Sequence, residues 1–357
     1  MLDVLIVPAA GKSTRFPGTR PKWLLTHPDG RIMGAAALDH LPRAKDVIVV
    51  TSKAIANEYG EEAIRRAFLD GMENTPVRKL RIMAIKQTPH QPATVAIAAA
   101  TLSPKRSIMV KDTDNTFSVE GLEGGSNGIA CVRTTDQPLL NARNKCYVEA
   151  SSDSDVLRCA ERQPISDTFA CGLYSFARAG EFLAALKGLW STPALYPSSV
   201  VNALLSAKKP FQAWKATGYE DWGTLPDWLR FKSTWRTLFV DVDGVILKNG
   251  GQYFAPLWGD CVPILENVAA LRRLHATGRV QIVLTTARPL AEGPKLRTLL
   301  EAHGVPFQGI ITGMHHAQRV LVNDFAATNP YPTAAAINLV RNANDLDHQL
   351  RGLFKDF

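Results

Sequence analysis

The stretch Val4-Leu-Ile-Val-Pro-Ala-Ala-Gly-Lys-Ser-Thr-Arg15 decides the fold of the first half of the chain. Its four leading apolar residues predict a buried β-strand, and the small residues Ala9–Gly11 predict a tight turn directly after it. In such a turn, backbone N–H groups can approach a phosphate group closely. Three basic side chains follow shortly after the strand and would neutralise such an anion: Lys12, Arg15 and Lys22. We therefore predict an α/β domain with a phosphate site after its first strand.

The string Gly11-Lys-Ser-Thr14 is similar to the end of a P-loop, a nucleotide-binding motif that needs a second glycine five positions earlier. Ile6 occupies that position, inside the predicted strand. We therefore reject a P-loop and interpret the segment as a backbone turn with neighbouring basic side chains.

Predicted strands alternate with predicted helices along the whole chain, which favours an α/β fold with a largely parallel sheet. The first group of elements comprises strands Val4–Val7, Val47–Val50, Arg81–Ile85 and Ser107–Val110 and helices Ile55–Leu69 and Ala93–Leu102. The second group comprises strands Leu238–Val240, Val280–Leu284, Gly309–Ile311 and Val320–Val322 and helices Pro263–His275, Leu290–His303 and Pro332–Asn342. We expect two domains, residues 1–232 and 236–357, with the boundary inside Asp227–Arg236.

Composition restricts the class of protein. The chain has 357 residues, of which 46% are hydrophobic and 21% charged, as in globular proteins with a buried core. No apolar stretch approaches the ~18 residues of a membrane-spanning helix, so we expect no membrane insertion. Asp3, close to the start, indicates a first strand rather than a signal peptide.

Cysteine usage and net charge indicate the compartment and the partners. The five cysteines form no CxxC pair, which favours reduced thiols and a cytoplasmic location. The net charge of +8 comes without a basic run or a ladder of interleaved aromatic residues. We therefore expect small polyphosphate substrates and no nucleic acid partner.

The N-terminal motifs resemble, in order and spacing, the signature of the sugar-1-phosphate nucleotidylyltransferases, whose fold is GT-A-like and Rossmann-like. The resemblance covers residues 1–232, and the matching segments are Pro8–Arg15, Pro21–Leu25, Gln87–Pro89, Ala93–Ala96, Lys111–Phe117, Lys145–Glu149, Glu161–Ser166, Ala170–Phe176 and Glu220–Thr224. It implies transfer of a nucleotidyl group from an NTP to a sugar or polyol phosphate, with release of pyrophosphate. The segment Lys111–Phe117 also resembles the acidic loop of choline-phosphate and capsule-type cytidylyltransferases. CTP and UTP are both retained as donors, and surface-polysaccharide precursor synthesis as the pathway.

The same resemblance assigns residues to roles. It implies Mg²⁺ as the cofactor, held by Asp221 and by the Asp112/Asp114 pair, within which Asp114 is favoured and the choice stays open. Two anions must be brought together in this reaction, and Mg²⁺ with basic side chains screens their repulsion. Arg15 and Lys22 are the expected catalytic residues that grip the triphosphate. The expected substrate-binding residues are Ala10, Gly11, Lys12, Gln87, Lys145, Glu149, Arg162 and Gly172.

A second site follows the strand Thr237-Leu-Phe-Val-Asp241, which continues as Val-Asp-Gly244. Alternate side chains of a strand lie on one face, so Asp241 and Asp243 point the same way where the strand ends. Two such carboxylates can hold Mg²⁺, attack a phosphorus atom and move a proton.

The C-terminal segments Asp241–Ile246, Gln281–Pro289 and Val320–Phe325 resemble motifs one, two and four of the haloacid dehalogenase (HAD) superfamily. The resemblance implies a smaller, capless HAD-like Rossmannoid domain that hydrolyses a phosphomonoester with Mg²⁺. It makes Asp241 the nucleophile and Asp243 the general acid and base. The remaining roles fall to Thr286 (or Thr285) and Arg319 at the phosphoryl group and to Asp324, which would complete the Mg²⁺ site of Asp241 and Asp243.

A site without a cap is open, so it takes a bulky substrate or borrows a lid from the other domain or from a neighbouring subunit of a homo-oligomer. Together the two halves predict a bifunctional, Mg²⁺-dependent enzyme. Two alternatives stay open: a GT-A glycosyltransferase, and a nucleotidyltransferase whose HAD half is a non-catalytic interaction module. The second alternative is motivated by Arg319, where the family has lysine, and by Asn323, where it often has an acid.

Overall fold

The computed structural model describes residues 2–42, 44–72, 79–119, 122, 124–137, 144–190, 192, 194–249, 253–254, 257–258 and 261–354. The chain divides into two compact units, Met1–Trp228 and Leu229–Phe357, each with its own hydrophobic core. The division lies in a helix, α7 (Leu225–Ser233). None of the helices formed by the described residues combines the length and the apolar character that a membrane crossing requires.

The first unit is built around one large sheet. Its described strands are β1 (Leu2–Ala9), β2 (Ala44–Ser52), β3 (Lys79–Ile85), β4 (Ile108–Lys111), β5 (Asn115–Val119), β6 (Gly128–Arg133), β7 (Cys146–Ala150), β8 (Val156–Glu161), β9 (Thr168–Phe176) and β10 (Gln212–Asp221). Its described helices before α7 are α1 (Met33–Ala36), α2 (Lys53–Tyr59), α3 (Glu61–Gly71), α4 (Gln91–Ala99), α5 (Ala179–Gly188) and α6 (Pro197–Ser206).

The sheet is mixed rather than largely parallel. Its strand order is β3-β2-β1-β4-β9-β6-β10-β5, with β7 paired to β9 and β8 paired to β7. The four strands at the β3 end are parallel, as predicted, but β9 runs antiparallel between β4 and β6. Among the described residues between 111 and 176 there is no α-helix. Parallel neighbours usually need a helical crossover, so the prediction is wrong for the strands of this segment, whereas β10, which follows α5 and α6, is again parallel to β6.

The central strand β1 is buried on both faces. Val4 and Ile6 belong to one core cluster and Leu5 and Val7 to another, as the alternation of side chains along a strand requires. The strand is parallel to both β2 and β4. The carboxyl ends of β1 and β4 therefore lie at the same edge of the sheet, where α/β folds bind their ligands.

The predicted helix Ile55–Leu69 is two helices, α2 and α3, because Gly60 interrupts it. Gly60 has φ +81°, a left-handed conformation that glycine adopts without steric cost. Ser52 caps the first of the two helices, since its hydroxyl accepts a hydrogen bond from Ile55 N–H at 3.2 Å.

The second unit has a smaller sheet with parallel order β11-β14-β15. Its described elements are β11 (Arg236–Asp241), β12 (Tyr253–Phe254), β13 (Leu257–Trp258), α8 (Leu265–Ala276), β14 (Val280–Thr285), α9 (Gly293–Ala302), β15 (Gly309–Ile311) and α10 (Leu346–Leu353). Leu271 of α8, Leu350 of α10 and Ile282 of β14 belong to one cluster of buried residues that forms its core.

Two predicted elements of the second unit are wrong. Val320–Val322 is not a strand, and its side chains are 78%, 58% and 89% exposed in chain order. Pro332–Asn342 is not a helix. A run of three apolar residues fits many environments, and strand formation depends on pairing partners that the local sequence does not specify.

Candidate functional site

The turn after β1 lies open at the sheet edge. Ala10 is buried and Gly11 is exposed, and a side-chain carbon built on Gly11 would meet no atom within 4 Å. The Gln87 side-chain amide donates a hydrogen bond to the Ala10 carbonyl at 2.8 Å. The structure thus brings together three of the predicted substrate-binding residues.

The segment after this turn is hydrogen-bonded to the backbone of Lys22. Ser13 adopts a left-handed conformation with φ +49°, and its carbonyl accepts a hydrogen bond from Phe16 N–H at 2.8 Å. Its hydroxyl accepts another from Lys22 N–H at 3.0 Å. Trp23 follows as a fully buried anchor, so Lys22 is held at a fixed place beside the turn. Lys12 and Arg15 are exposed on the segment between them.

The acidic loop, residues 112–115, joins β4 to β5 and is built around a buried lysine. Lys111 is 1% exposed, and its ammonium donates to the Asp112 and Asn115 carbonyls at 2.9 Å and to Asn115 Oδ1 at 2.7 Å. Burial lowers the pKa of Lys111 to about 8. Three acceptors satisfy the three ammonium protons, so this cation shapes the loop from its inner side.

The two aspartates of the acidic loop differ in environment. Burial alone would raise the pKa of the Asp114 carboxyl, but the ammonium of Lys22 and the Arg15 guanidinium, 3.5 Å away, outweigh it and lower that pKa to about 2. Burial and the neighbouring charge of Asp114 raise the pKa of Asp112. Gln91 donates to Asp112 Oδ1 at 2.5 Å. Of the pair, Asp114 is thus the carboxylate that the basic residues surround.

Asp221, at the end of β10, joins this group. It pairs in register with Asn115 of β5, and Trp222 N–H donates to the Asp114 carbonyl at 2.8 Å. Lys145 binds Asp221 Oδ2 at 2.5 Å and the Tyr219 hydroxyl at 2.9 Å. Three cations and three carboxylates therefore meet at one edge of the sheet: Arg15, Lys22, Lys145, Asp112, Asp114 and Asp221.

Two glycines make room for these carboxylates. A side-chain carbon on Gly223 would lie 3.0 Å from Asp221 Oδ1 and 3.2 Å from Asp114 Oδ2, so both oxygens surround one point. A side-chain carbon on Gly172 would lie 2.6 Å from Asp112 Oδ2, and this glycine has φ +87°. Its carbonyl also accepts a hydrogen bond from Asp112 N–H at 2.8 Å.

Two predicted residues of the second substrate's segments lie differently. Arg162 N–H donates to the Lys145 carbonyl at 2.8 Å, which places its backbone beside the site. Glu149 forms an ion pair with Arg158 at 2.6 Å across the β7–β8 hairpin, four residues beyond Lys145 along the strand. The structure brings the Arg162 backbone beside Lys145, whereas its guanidinium carbon lies 6.0 Å from the centre of the Tyr196 ring, and it does not bring Glu149 into the charged group.

The sequence did not single out Gly223, Gln91 or the buried role of Lys111. Gly223 is flanked by residues of the predicted metal segment, but its closeness to Asp114 depends on strand pairing. Gln91 lies two residues before the predicted helix Ala93–Leu102 and is the first residue of α4 in the structure. No local signal distinguishes a buried lysine such as Lys111 from an exposed one.

The residues of the first unit fit a magnesium ion held by few protein ligands. Among the described residues, no group of three or more His, Cys, Asp or Glu side chains is arranged to hold a metal ion. Mg²⁺ in nucleotide sites commonly uses one or two carboxylates and completes its shell with water and substrate phosphates. Asp114 and Asp221, whose oxygens surround one point, provide such a pair.

The second unit has a cavity of about 280 Å³ at the end of β11. Its lining residues are Asp241, Asp243, Asn249, Ala287, His315, His316, Ala317, Arg319 and Arg341. Arg319 Nη2 donates to Asp241 Oδ1 at 3.0 Å. The predicted residues Asp241, Asp243 and Arg319 are therefore brought together.

Asp243 is bound to a buried arginine that the sequence reading left without a role. Arg288 Nη2 lies 2.6 Å from Asp243 Oδ1, its Nε contacts both carboxylate oxygens, and the two side chains are only 5% and 6% exposed. The hydroxyl of Thr286 donates to Asp243 Oδ2 at 2.9 Å. Thr286 is thus fully buried against Asp243, and Thr285 is buried as well.

Asp324 does not line the cavity, and its carbonyl accepts a hydrogen bond from the Thr333 hydroxyl at 2.8 Å. Because Val320–Val322 does not join the sheet, Asp324 is not carried to the carboxyl edge where Asp241 and Asp243 lie. In the described part of the chain these three aspartates do not form a group that could hold a metal ion. The predicted magnesium site of the second unit therefore does not fit the residues as they are placed.

All five cysteines lie in the described part of the chain, and none forms a disulfide. Four of them are buried, namely Cys131, Cys146, Cys159 and Cys171.

Replacing Gly172 by alanine tests the packing of the acidic loop. We expect Gly172→Ala to cost about 1–2 kcal/mol for its left-handed backbone and about 1–3 kcal/mol more for the clash with Asp112. Gly60→Ala is a matched control, because Gly60 has φ +81° but a side-chain carbon there would meet no atom closer than 3.9 Å. Urea unfolding of both variants gives the two free energies, and equal losses would contradict the proposed clash.

Replacing Arg288 by alanine tests the buried ion pair. We expect Arg288→Ala to lower the free energy of unfolding by about 3–5 kcal/mol, because it leaves the Asp243 charge buried without a partner. Removing both charges in the double variant Arg288→Ala, Asp243→Ala restores much of this loss. The control Arg351→Ala breaks an exposed pair with Asp347 and costs about 0–1 kcal/mol. Equal losses for Arg288→Ala and Arg351→Ala in guanidinium unfolding would refute a dominant role of the buried pair.

Comparison with known proteins found no matching family model and no matching curated protein. Solved structures do match. A nucleoside-diphosphate-sugar pyrophosphorylase from Vibrio cholerae RC9 is 18% identical with a TM-score of 0.50, and the match covers 64% of this chain and 98% of that one. An inositol-1-phosphate CTP transferase from T. maritima is 12% identical with a TM-score of 0.48, covering 63% and 91%.

A UDP-glucose pyrophosphorylase from Acinetobacter baumannii is 14% identical with a TM-score of 0.48, and the match covers 64% of this chain and 92% of that one. The first unit, Met1–Trp228, makes up the same share of the chain as these matches. The similarity to the Vibrio cholerae structure shows an α/β fold of the pyrophosphorylase type, as the sequence predicted. The HAD-like fold predicted for the second unit is not shown by any of the three.

Proposed function

We propose that the first unit transfers a nucleotidyl group from an NTP to a sugar or polyol phosphate and releases pyrophosphate. The observation that carries the proposal is the convergence of Arg15, Lys22 and Lys145 on the carboxylates of Asp114 and Asp221. This charged group lies beside an open turn at the sheet edge. The similar structure from Vibrio cholerae is itself described as a nucleoside-diphosphate-sugar pyrophosphorylase, which supports this reaction class.

In this reaction the protein has to position the two reactants, and no covalent intermediate with the protein is required. A phosphate oxygen of the acceptor attacks the α-phosphorus of the NTP, the bond from that phosphorus to the bridging oxygen breaks, and pyrophosphate leaves. The acceptor phosphate is already a competent nucleophile, so no general base is needed. The main barrier is the meeting of two anions, which fixed cations lower.

We assign the basic residues to the two anionic reactants according to their positions in the structure. Lys22 is held beside the turn by the Ser13 hydroxyl, and Arg15 is exposed next to it, so both are placed for the triphosphate. Lys12 and the backbone of Ala10 and Gly11 extend the same surface. CTP and UTP are the donors we favour. Gln87, whose side chain lies beside the turn, is the residue we assign to contact with the nucleobase.

Lys145 and Arg162 are placed for the acceptor phosphate. Lys145 reaches Asp221, and its carbonyl accepts the hydrogen bond of Arg162 N–H, so the two basic residues are neighbours. Gly172 contributes by leaving room for Asp112 rather than by touching substrate. Glu149 is not assigned a role in this proposal, because it is engaged with Arg158.

Asp114 and Asp221 would hold Mg²⁺, with Asp112 as a neighbour whose raised pKa makes it the weaker ligand. When bound there, Mg²⁺ would screen the repulsion between the reactants and stabilise charge on the leaving pyrophosphate. Lys22 and Lys145 neutralise these carboxylates in the structure. Their flexible side chains can turn to phosphate oxygens once the carboxylates have another counter-ion.

A GT-A glycosyltransferase is the alternative for the first unit. Such an enzyme binds a nucleotide sugar and has no use for a grip on a triphosphate. The position of Lys22 and Arg15 beside the turn favours the nucleotidyltransferase. Hydrolysis of a phosphomonoester by the second unit stays a prediction from the sequence, as do a cytoplasmic location and a role in surface-polysaccharide precursor synthesis.

Pyrophosphate release tests the proposal. We expect the full chain to release pyrophosphate from CTP or UTP in the presence of one member of a panel of sugar and polyol phosphates. Lys22→Ala should lower kcat/KM by about 100-fold, because it removes a fixed cation from the developing charge. The control Arg65→Ala, an exposed residue paired with Glu62 on α3, should retain the activity of the parent. Sugar transfer from a nucleotide sugar without pyrophosphate release would instead identify a glycosyltransferase.

Removal of divalent cations tests the assignment of the carboxylates. Excess EDTA should abolish pyrophosphate release and added Mg²⁺ should restore it. Asp221→Asn should raise the Mg²⁺ concentration needed for half-maximal activity by at least about tenfold, because one of two carboxylate ligands is lost. Asp167→Asn, which changes an exposed partner of Arg133, serves as the control. Full activity in EDTA would rule out the metal role of both carboxylates.

A further inference from the structure

The cavity of the second unit has more positive than negative charge around it. Arg319 and Arg341 line it together with Asp241 and Asp243, and Arg288 contacts Asp243 directly. Asp243 is already paired with Arg288, which does not line the cavity, so the two lining arginines face the one remaining carboxylate, that of Asp241. Such a cavity favours an anion as its ligand.

Asp243 is not available to a metal ion or to a substrate. Nε and Nη2 of Arg288 and the hydroxyl of Thr286 donate to its two oxygens at distances between 2.6 and 3.2 Å. Its side chain is 6% exposed. Separating this buried pair would leave two uncompensated charges in a low-dielectric environment, so the arginine stays where a metal ion would otherwise bind.

Among the described residues, Asp241 has no second carboxylate that is free to share a metal ion. Arg319 lies 3.0 Å from its Oδ1, and Asp324 is not among the residues that line the cavity. Attack of a carboxylate on a phosphate ester needs a metal ion to offset their mutual repulsion. The residues placed around Asp241 do not provide the ligands for one, so they do not favour hydrolysis.

Arg341 is the side chain that the cavity offers to a ligand. In the part of the chain that the structure describes, it forms no ion pair, although it lines a cavity with two aspartates. It lies over the loop after β11, where Gly244, with φ +94°, leaves room for it: a side-chain carbon there would be 3.1 Å from Arg341 Cγ. A planar guanidinium fork matches two oxygens of a phosphate group.

We infer that this cavity is a metal-independent binding site for a phosphate dianion, either inorganic phosphate or the phosphate of a small monoester, and that it holds this group without hydrolysing it. Arg341 and Arg319 would bind the anion, and His315 and His316 also line the cavity. The volume of about 280 Å³ is close to the ~300 Å³ lower limit of small-molecule pockets, so a phosphate with a small substituent fits best. The site is separate from the transferase site and does not depend on its activity.

Calorimetric titration of the full chain with inorganic phosphate in excess EDTA tests this inference. A Lys22→Ala background weakens phosphate binding at the first unit, and comparing variants of the second unit within this background cancels what remains. In this background we expect phosphate to bind with an unchanged dissociation constant when Mg²⁺ replaces EDTA. Arg341→Ala should weaken binding by about 10- to 100-fold, because a hydrogen-bonded charge is lost. Arg351→Ala, an exposed arginine of α10 that does not line the cavity, should leave binding unchanged.

Arg341→Lys keeps the positive charge but loses the planar guanidinium group. This variant should bind phosphate more weakly than the parent and more strongly than Arg341→Ala. It replaces Arg341→Ala in the test if that variant fails to fold. p-Nitrophenyl phosphate is the monoester probe, and we expect it to compete with phosphate and to stay intact with Mg²⁺ present. Mg²⁺-dependent hydrolysis of this ester that is lost in Asp241→Asn would overturn the inference and establish a phosphatase. Phosphate binding that requires Mg²⁺, or that is unaffected in Arg341→Lys, would overturn it as well.

Discussion

Neutralisation of carboxylates at the ends of parallel strands is the constraint on which both candidate sites depend. Burying a charged carboxylate without a counter-charge costs more free energy than most single interactions contribute to stability. Charged carboxylates at these positions therefore need a paired cation. In the first unit Asp114 and Asp221 are paired with Lys22 and Lys145. Lys111 compensates the same loop from inside, through its backbone carbonyls rather than through a carboxylate. The positions of Lys22, Lys145 and Lys111 at this edge follow from this requirement.

The sheet explains why these charges meet at all. β1 and β4 are parallel neighbours, so the open turn after one and the acidic loop after the other share an edge. β10 reaches the same edge by pairing with β5, which brings Asp221 beside Asn115. Glycine at position 172 is required by the crowding that results, since a side-chain carbon there would lie 2.6 Å from an Asp112 oxygen, and Gly223 avoids tight contacts of 3.0 and 3.2 Å with Asp221 and Asp114. The strand order therefore accounts both for the meeting of these charges at one edge and for the glycines beside them.

Local features were predictable from the sequence, and pairing partners were not. The strand Val4–Val7 and the turn after it are set by neighbouring residues, and the structure has both. The contact of Lys145 with Asp221 joins residues 76 positions apart, and only the strand order determines it. For the same reason the apolar run Val320–Val322 misled the prediction, because its composition fits a strand but the sheet does not include it. The partner of Asp243 was also missed, although Arg288 lies in a quoted motif, since a charge pattern does not reveal which arginine is buried.

The two units neutralise their carboxylates with different side chains, lysine in the first and arginine in the second. This difference determines whether a carboxylate can exchange its partner for another ion. A lysine is a point charge on a flexible stem and can leave a carboxylate for a phosphate without losing a fixed geometry. In the proposed function the pairs of Lys22 and Lys145 would therefore be exchangeable, and no charge would be left buried alone if a metal ion and a polyphosphate entered together. Arg288 binds both oxygens of Asp243, with both side chains almost fully buried, so exchange there would leave two poorly solvated charges without their ionic partners. A site of the first kind can admit a metal ion with its substrate, whereas a site of the second kind keeps its carboxylate occupied and leaves ligand binding to the remaining arginines.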